Sequence, residues 1–313
     1  MRDLSIRDGE GVVHDGALIT RIEALAIPPA WTDVQIARSP RAKILALGYD
    51  SAGRQQAIYN PTFRARQEKL KFDRILRFAV ALPKLRRQIA RDLKRRRLGK
   101  EKVLACVVKL IDEAYFRVGN ERYAEENDHY GITTMRSKHV DVHGDTVVFD
   151  FVGKSGKEHV KEVTDPQLAT IIKHLDELPG YEIFRYQDEK GHMHDIDAAD
   201  VNEYIKTYMG EEFSAKDFRT WGGTLLATTE LLASEDVHSK TLRQKQVVEV
   251  VKRVAERLGN TPAVARSSYI DPRVIDAYGH PHQIAKVKRT MARMKPKRYL
   301  SRDEQVVLRI LNA

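Results

Sequence analysis

Five residues carry the side chains best suited to chemistry: Arg117, Lys154, Arg219, Asn260 and Tyr269. A free phenol titrates near ~10, so a tyrosine attacks only when neighbours draw off its proton or steady its anion. Guanidiniums and an ammonium supply that charge and can also grip an oxyanion, while a carboxamide adds a neutral donor. Each also has an ordinary reading: an ion-pairing arginine, a solvated lysine on a hairpin tip, a core tyrosine. The wording around Tyr269, GNTPAVARSSYIDP over 259–272, narrows this. Val247, Val250, Val251, Val254 and Leu258 recur at helical spacing and make Gly259 the residue that stops a helix. Thr261-Pro262 and Asp271-Pro272 each restart one, with an N-cap followed by proline at the first helical position. Tyr269 is thereby pinned at the end of a short helix between two capped starts.

The elements that must position these residues follow from the same grammar. Over residues 1–75 short apolar pieces alternate with turn residues; Ala17–Ile19, Val34–Ile36 and Lys43–Leu47 read as strands, broken by Pro28-Pro29 and Gly53. In GYDSAGRQQAIYN a turn at Asp50–Gly53 leads to a strand carrying Arg54, Gln56 and Tyr59, side chains able to read bases and phosphates or to form a solvated face. Near Phe72 the pattern turns helical, and Leu82–Lys102 is intensely basic. The domain boundary is placed around residues 76–80, with the basic helix opening the second domain, giving residues 1–78 and 79–313. Val103–Tyr115 is apolar almost all round and is expected to be a buried helix ending just before Arg117. KHVDVHGDTVVFDFVGKSGKEHV alternates like antiparallel strands, with turns at His143–Asp145 and Gly153–Gly156 that put Lys154 on a hairpin tip. Asp165-Pro166 opens a helix, Glu182–Tyr186 reads as a strand, and Asp197 to Gly210 bound a further helix. Ser214 and Asp217 resemble a capping box in front of a helix with Arg219 off its apolar stripe, and Ser301–Glu304 starts the last helix. The fold class is α+β: a small β-sheet N-terminal domain and a mostly helical domain with a small antiparallel sheet.

Composition sets the bounds. At 313 residues two domains are the expectation. Lys and Arg outnumber Asp and Glu by 54 to 44, a net charge of +10 with an isoelectric point near 9.5, which favours a polyanionic partner, nucleic acid first. No apolar run reaches the ~18 residues of a membrane span, and MRDLSIRDGE lacks the apolar stretch of a secretory signal. A single cysteine, Cys106, excludes an internal disulfide and a cysteine-based zinc cluster, and its setting in VLACVVKLI reads as buried. VGKSGK is no phosphate-binding loop, since Val148 stands where the first glycine is required and no helix follows. His192 and His194 in GHMHD lack a second ligand pair, so no metal is expected.

FRVGNERYAEENDHYGITTMRSKHV, FVGK, KDFRTWGGTLLA and LGNTPAVARSSYIDP, in that order, resemble the type IB DNA topoisomerases of the poxvirus-like, compact bacterial kind. LAIPPAWTDV and GRQQAIYN resemble that family's N-terminal region, so the likeness runs from about residue 12 to 300. It implies that Tyr269 attacks a DNA phosphodiester to give a 3′-phosphotyrosine and a free 5′-hydroxyl, without metal, ATP or other cofactor. By the same resemblance Arg117 and Arg219 match the charge of the pentacoordinate transition state, Lys154 protonates the leaving oxygen, and Asn260 donates to a phosphate oxygen. Asn260 departs from the poxvirus pattern, which has histidine there, and so argues for positioning over proton transfer. Ala57 is a second departure, where the family tends to carry an aromatic residue. Tyr123 and Lys216 look like further DNA contacts beside Arg54, Gln56 and Tyr59. Relaxation of supercoiled duplex DNA by a cytoplasmic, nucleoid-associated monomer that clamps DNA between its domains is what the family implies. Tyrosine recombinases share the arginine-arginine-tyrosine chemistry, but usually place histidine where Lys216 stands and have a helical N-terminal domain. A DNA-binding protein that has lost cleavage would fit the charge but not the intact set of Arg117, Lys154, Arg219 and Tyr269.

Overall fold

The computed structural model describes residues 7–8, 11–12, 15–237 and 239–312; of Tyr123 and of residues 7, 8, 11 and 12 it describes the backbone only. Much of the opening segment weighed as a signal sequence, MRDLSIRDGE, thus lies outside the described residues. The described chain forms two compact units, Met1–Phe72 and Asp73–Ala313.

The first unit holds the two-residue strands β1 (Arg7–Asp8) and β2 (Gly11–Val12), helix α1 (Gly16–Glu23), and strands β3 (Thr32–Ile36), β4 (Ile44–Tyr49) and β5 (Gln55–Tyr59). The last three form an antiparallel sheet in chain order, with Leu47 opposite Ala57 and Gly48 opposite Gln56. Ala17–Ile19, expected as a strand, lies in α1. The Asp15 side chain accepts from the amides of Ala17 and Leu18, and this N-cap overrides the apolar run's resemblance to a strand.

Helix α2 runs from Pro61 to Asp92, so helix begins eleven residues before Phe72, where the sequence suggested it. Asn60 accepts from the amide of Thr62 and Pro61 takes the first helical position, a start signal easily missed ahead of the polar RARQEKLK. The second unit continues with α3 (Lys100–Ala114), α4 (Glu121–Asn127), β6 (Val140–His143), β7 (Thr146–Gly153), β8 (Lys157–Thr164), α5 (Pro166–Asp176), β9 (Arg185–Gln187), β10 (Met193–Asp195) and α6 (Ala198–Met209). It ends with α7 (Ala215–Ala233), α8 (Lys240–Leu258), α9 (Pro262–Ser268), α10 (Pro272–Tyr278), α11 (Pro281–Met291) and α12 (Arg302–Leu311). Strands β6, β7 and β8 form an antiparallel meander, and β9 pairs with β10. The strand expected at Glu182–Tyr186 is therefore displaced toward Gln187, and Glu182 itself makes only an isolated bridge to Arg136.

The fold class is α+β, as expected, with small antiparallel sheets and a helical second unit. Helix α3 is the centre of that unit: Val103–Val108, Leu110 and Ile111 are all buried, Cys106 among them. Packed with it are Ile75, Phe78 and Leu82 of α2 and Phe218 and Trp221 of α7. Among the described residues no helix is long and apolar enough to cross a membrane.

Candidate active site

Tyr269 is the C-cap of α9, its amide donating to Ala265 O at 3.0 Å. The expected caps are present: Thr261 accepts from Val264 N and Asp271 from Arg273 N. The backbone of Tyr269 is held from behind by α7. Buried Thr224 Oγ shares its proton between the carbonyls of Thr220 (2.9 Å) and Tyr269 (3.2 Å) and accepts from Asp271 N at 3.1 Å. Gly223 lets α7 approach this closely, since a Cβ there would fall 2.6 Å from Tyr269 O. Its neighbour Gly222 does the same for Tyr115, whose ring a Cβ at 222 would overlap.

Two helices end at the site, and three cations close their ends. α3 stops at Tyr115, a non-glycine residue in the left-handed region at φ 57°, and α8 stops at Gly259 with φ 62°. The last carbonyls of a helix lack backbone partners and carry partial negative charge, so cations are drawn to them. Arg219 bridges the two ends, donating to Tyr115 O and Leu258 O, both at 2.7 Å. Arg117 donates to Gly259 O at 3.0 Å and to Asn260 Oδ1 at 2.8 Å. Lys161 donates to Ala114 O at 2.7 Å, with Arg257 O at 3.4 Å. Arg219 is 4% exposed, and its guanidinium lies over the Tyr269 ring, 5.1 Å from the centroid. The arginine expected off the apolar stripe is thus inside the protein rather than solvated.

The charges bear on one another. Burial first, then Arg219, pulls the Arg117 guanidinium down to about 10, with Tyr269 opposing. Burial lowers Arg219 as well, again against Tyr269. Because Arg117 can only donate, it fixes the Asn260 amide with Oδ1 toward the guanidinium and Nδ2 away from it. Nδ2 of Asn260 and Nε of Arg219 are buried donors without a hydrogen-bond partner among the described residues. Native proteins seldom leave such donors empty; one on the arginine that covers Tyr269 and one on the amide that Arg117 holds can together seat an oxyanion.

The site residues expected from sequence fall into groups. Arg117 binds Asn260 and Arg219 covers Tyr269, so these four are brought together. Lys154 is exposed in the turn joining β7 to β8, at the expected hairpin tip, and makes no hydrogen bond or ion pair among the described residues. Lys216 is exposed in the first turn of α7, and Tyr123 is on α4, its side chain outside what is described. In the first unit Arg54 Nε and Gln56 Nε2 each donate to Asp50 Oδ2 at 2.9 Å, while Tyr59 is exposed and stacked on Phe63 at 6.1 Å. His192 and His194, set aside as metal ligands, close onto Asp188, and no metal-binding cluster of His, Cys, Asp or Glu occurs among the described residues.

Sequence reasoning passed over the inner face of β8. Register pairs Phe149 with Lys161 and Phe151 with His159, which turns both polar side chains toward the helix ends and leaves Val160 outside. Burial, then Arg219, Arg257 and Arg117, pushes Lys161 down to about 8. Burial, then Lys161, Arg117, Arg219 and Lys157, pushes His159 down to about 4. In KEHVKEV alone the valines at 160 and 163 have opposite parity, so alternation could not choose a face; the apolar phase of β7 was the usable signal.

Residues 60–298 match the catalytic core of eukaryotic DNA topoisomerase I, and residues 6–50 match the N-terminal domain of bacterial DNA topoisomerase IB. The chain belongs to the type IB DNA topoisomerase family. DNA topoisomerase 1B of Acanthamoeba polyphaga mimivirus is 35% identical over 268 residues, 83% of this chain and 80% of the viral protein. DNA topoisomerase 1B of Vaccinia virus (strain Copenhagen) is 24% identical over 294 residues, 88% of this chain and 90% of its own length. Type IB membership makes the protein an isomerase whose partner is DNA, in agreement with the motif resemblance.

Proposed function

We propose that the protein relaxes positive and negative supercoils by a transient single-strand break carried on Tyr269. The Tyr269 oxygen attacks phosphorus, the bond from phosphorus to the 5′-oxygen breaks, and the phenol's proton passes to solvent. Lys154 gives its proton to the departing 5′-oxygen, leaving a 5′-hydroxyl opposite a 3′-phosphotyrosine. The free strand rotates and the reverse attack reseals it. The new ester keeps the free energy of the broken bond, so the cycle needs no ATP.

The observation that carries this reading is the pair of empty buried donors, Nε of the Arg219 that covers Tyr269 and Nδ2 of the Asn260 that Arg117 holds. A scissile phosphate seated there meets two guanidiniums and an amide fixed in advance, the arrangement that stabilises a charged transition state without reorganisation and supplies the charge otherwise asked of a metal. Arg54, Gln56, Tyr59, Tyr123 and Lys216 are assigned as DNA contacts, Arg54 and Gln56 exchanging Asp50 for DNA. A monomer acting in the cytoplasm at the nucleoid completes the reading. The test is relaxation of both positively and negatively supercoiled plasmid in chelator without ATP. Complete relaxation is expected; plasmid left supercoiled by active, folded protein overturns it.

A further inference from the structure

We propose that His159 is a positioning residue that locks the Lys154 turn to the end of α8 that leads into Asn260, an inference that rests on Lys154 acting as the acid. One imidazole edge touches the residue before each of them. A Cβ at Gly153 would lie 2.6 Å from His159 Cδ2 and 2.8 Å from Nε2, and a Cβ at Gly259 would also lie 2.8 Å from Nε2. The ring's face is stacked on Phe151, 5.2 Å between centroids and 27° between planes. β8 thus wedges a flat group between the end of β7 and the end of α8.

The two glycines are of different kinds. Gly259 is at φ 62° and would suit a helix stop with or without the ring. Gly153 is at φ −99° and ψ −166°, extended backbone open to any residue, so only the His159 ring forbids a side chain there. Nε2 is buried with no hydrogen-bond partner among the described residues, which marks the ring as a spacer rather than a hydrogen-bonding link. Burial first, then Lys161 on β8, Arg117 after α3, Arg219 on α7 and Lys157 on β8, keep it neutral at physiological pH. A neutral ring can sit edge-on against two glycine Cα atoms without burying charge. Lys154 itself is exposed and unpaired among the described residues, so the wedge is what ties its turn to the α8 end of the site.

The consequence is specific to the acid step. A leaving oxygen needs Lys154's proton, whereas a leaving sulfur does not, because a thiolate departs unprotonated. Duplex DNA with a normal scissile phosphodiester and the same duplex with sulfur at the bridging 5′ position therefore separate acid positioning from everything else. On the oxygen duplex His159→Ala should slow single-turnover adduct formation by on the order of 10–10²-fold, and on the sulfur duplex by less than about threefold. Gly153→Ala should show the same split, and because both changes break the same contact, adding His159→Ala to it should cost less than about threefold more on the oxygen duplex. Equal losses on both duplexes, no loss on either, or single losses that multiply in the double variant overturn the proposal. Should His159→Ala fail to fold, Gly153→Ala, which keeps the ring, carries the comparison. If the wild-type protein forms no adduct on either duplex, it is the enzymatic reading that fails, and the two failures are told apart.

Discussion

Asn260 shows how a single side chain is given its direction. Arg117 claims its oxygen and leaves Nδ2 buried and free for a substrate oxygen. Asn260→Asp keeps the acceptor for Arg117 but puts a negative oxygen where the donor was, so adduct formation should fall on the order of 10²-fold in single-turnover assays. Asn260→His can accept from Arg117 with one ring nitrogen and donate with the other, and should stay within about tenfold of wild type. Lys161 yields a prediction in pH. Its folded value, about 8, lies below the 10.5 of a free lysine, so between these limits the unfolded chain holds more protons than the native one. Stability therefore carries a cost from Lys161 below about 8, and that cost is relieved as pH rises toward 10.5. Urea unfolding of wild type and Lys161→Met from pH 7 to 10 should show this rise in the wild type alone; parallel curves would contradict it.

Among the elements, α7 positions both tyrosines of the site. Two adjacent glycines inside a helix cost about 1 kcal/mol each relative to alanine, and close approach accounts for them. Gly222 admits the Tyr115 ring and Gly223 the Tyr269 backbone. Gly223→Ala should slow adduct formation at least about tenfold by shifting Tyr269, although alanine is the better helix former. A variant that is stabler and equally fast would show that the contact does not position the phenol. Elements with strong local grammar were legible in the sequence: the Gly259 stop, the Thr261-Pro262 and Asp271-Pro272 starts, and the apolar α3. Where grammar was thin, it misled. Asp15 makes a helix of Ala17–Ile19, and Asn60-Pro61 opens α2 ahead of a polar first turn. The inner face of β8 was hidden for a different reason, because which side of a strand is buried depends on its partner's register.

At the scale of the whole molecule, the described chain divides at Phe72, inside the sequence span of α2, and the five candidate catalytic residues all belong to the second unit. A fragment of residues 73–313 should still form the covalent adduct, at roughly tenfold or more higher protein concentration because the contacts assigned to Arg54, Gln56 and Tyr59 are gone. Full activity at unchanged concentration would show that those residues do not touch DNA. The residue types and order of the site were readable along the chain because each sits in a distinctive local phrase. Its wiring was not, since Arg219 reaches Tyr115 and Leu258 across 104 and 39 residues. The most direct test of the account is to quench a reaction on duplex DNA with denaturant and locate the protein–DNA bond by mass spectrometry. The account predicts one covalent link, from Tyr269 to a 3′-phosphate, absent in Tyr269→Phe. A link through another residue, or an adduct that survives in Tyr269→Phe, would contradict it.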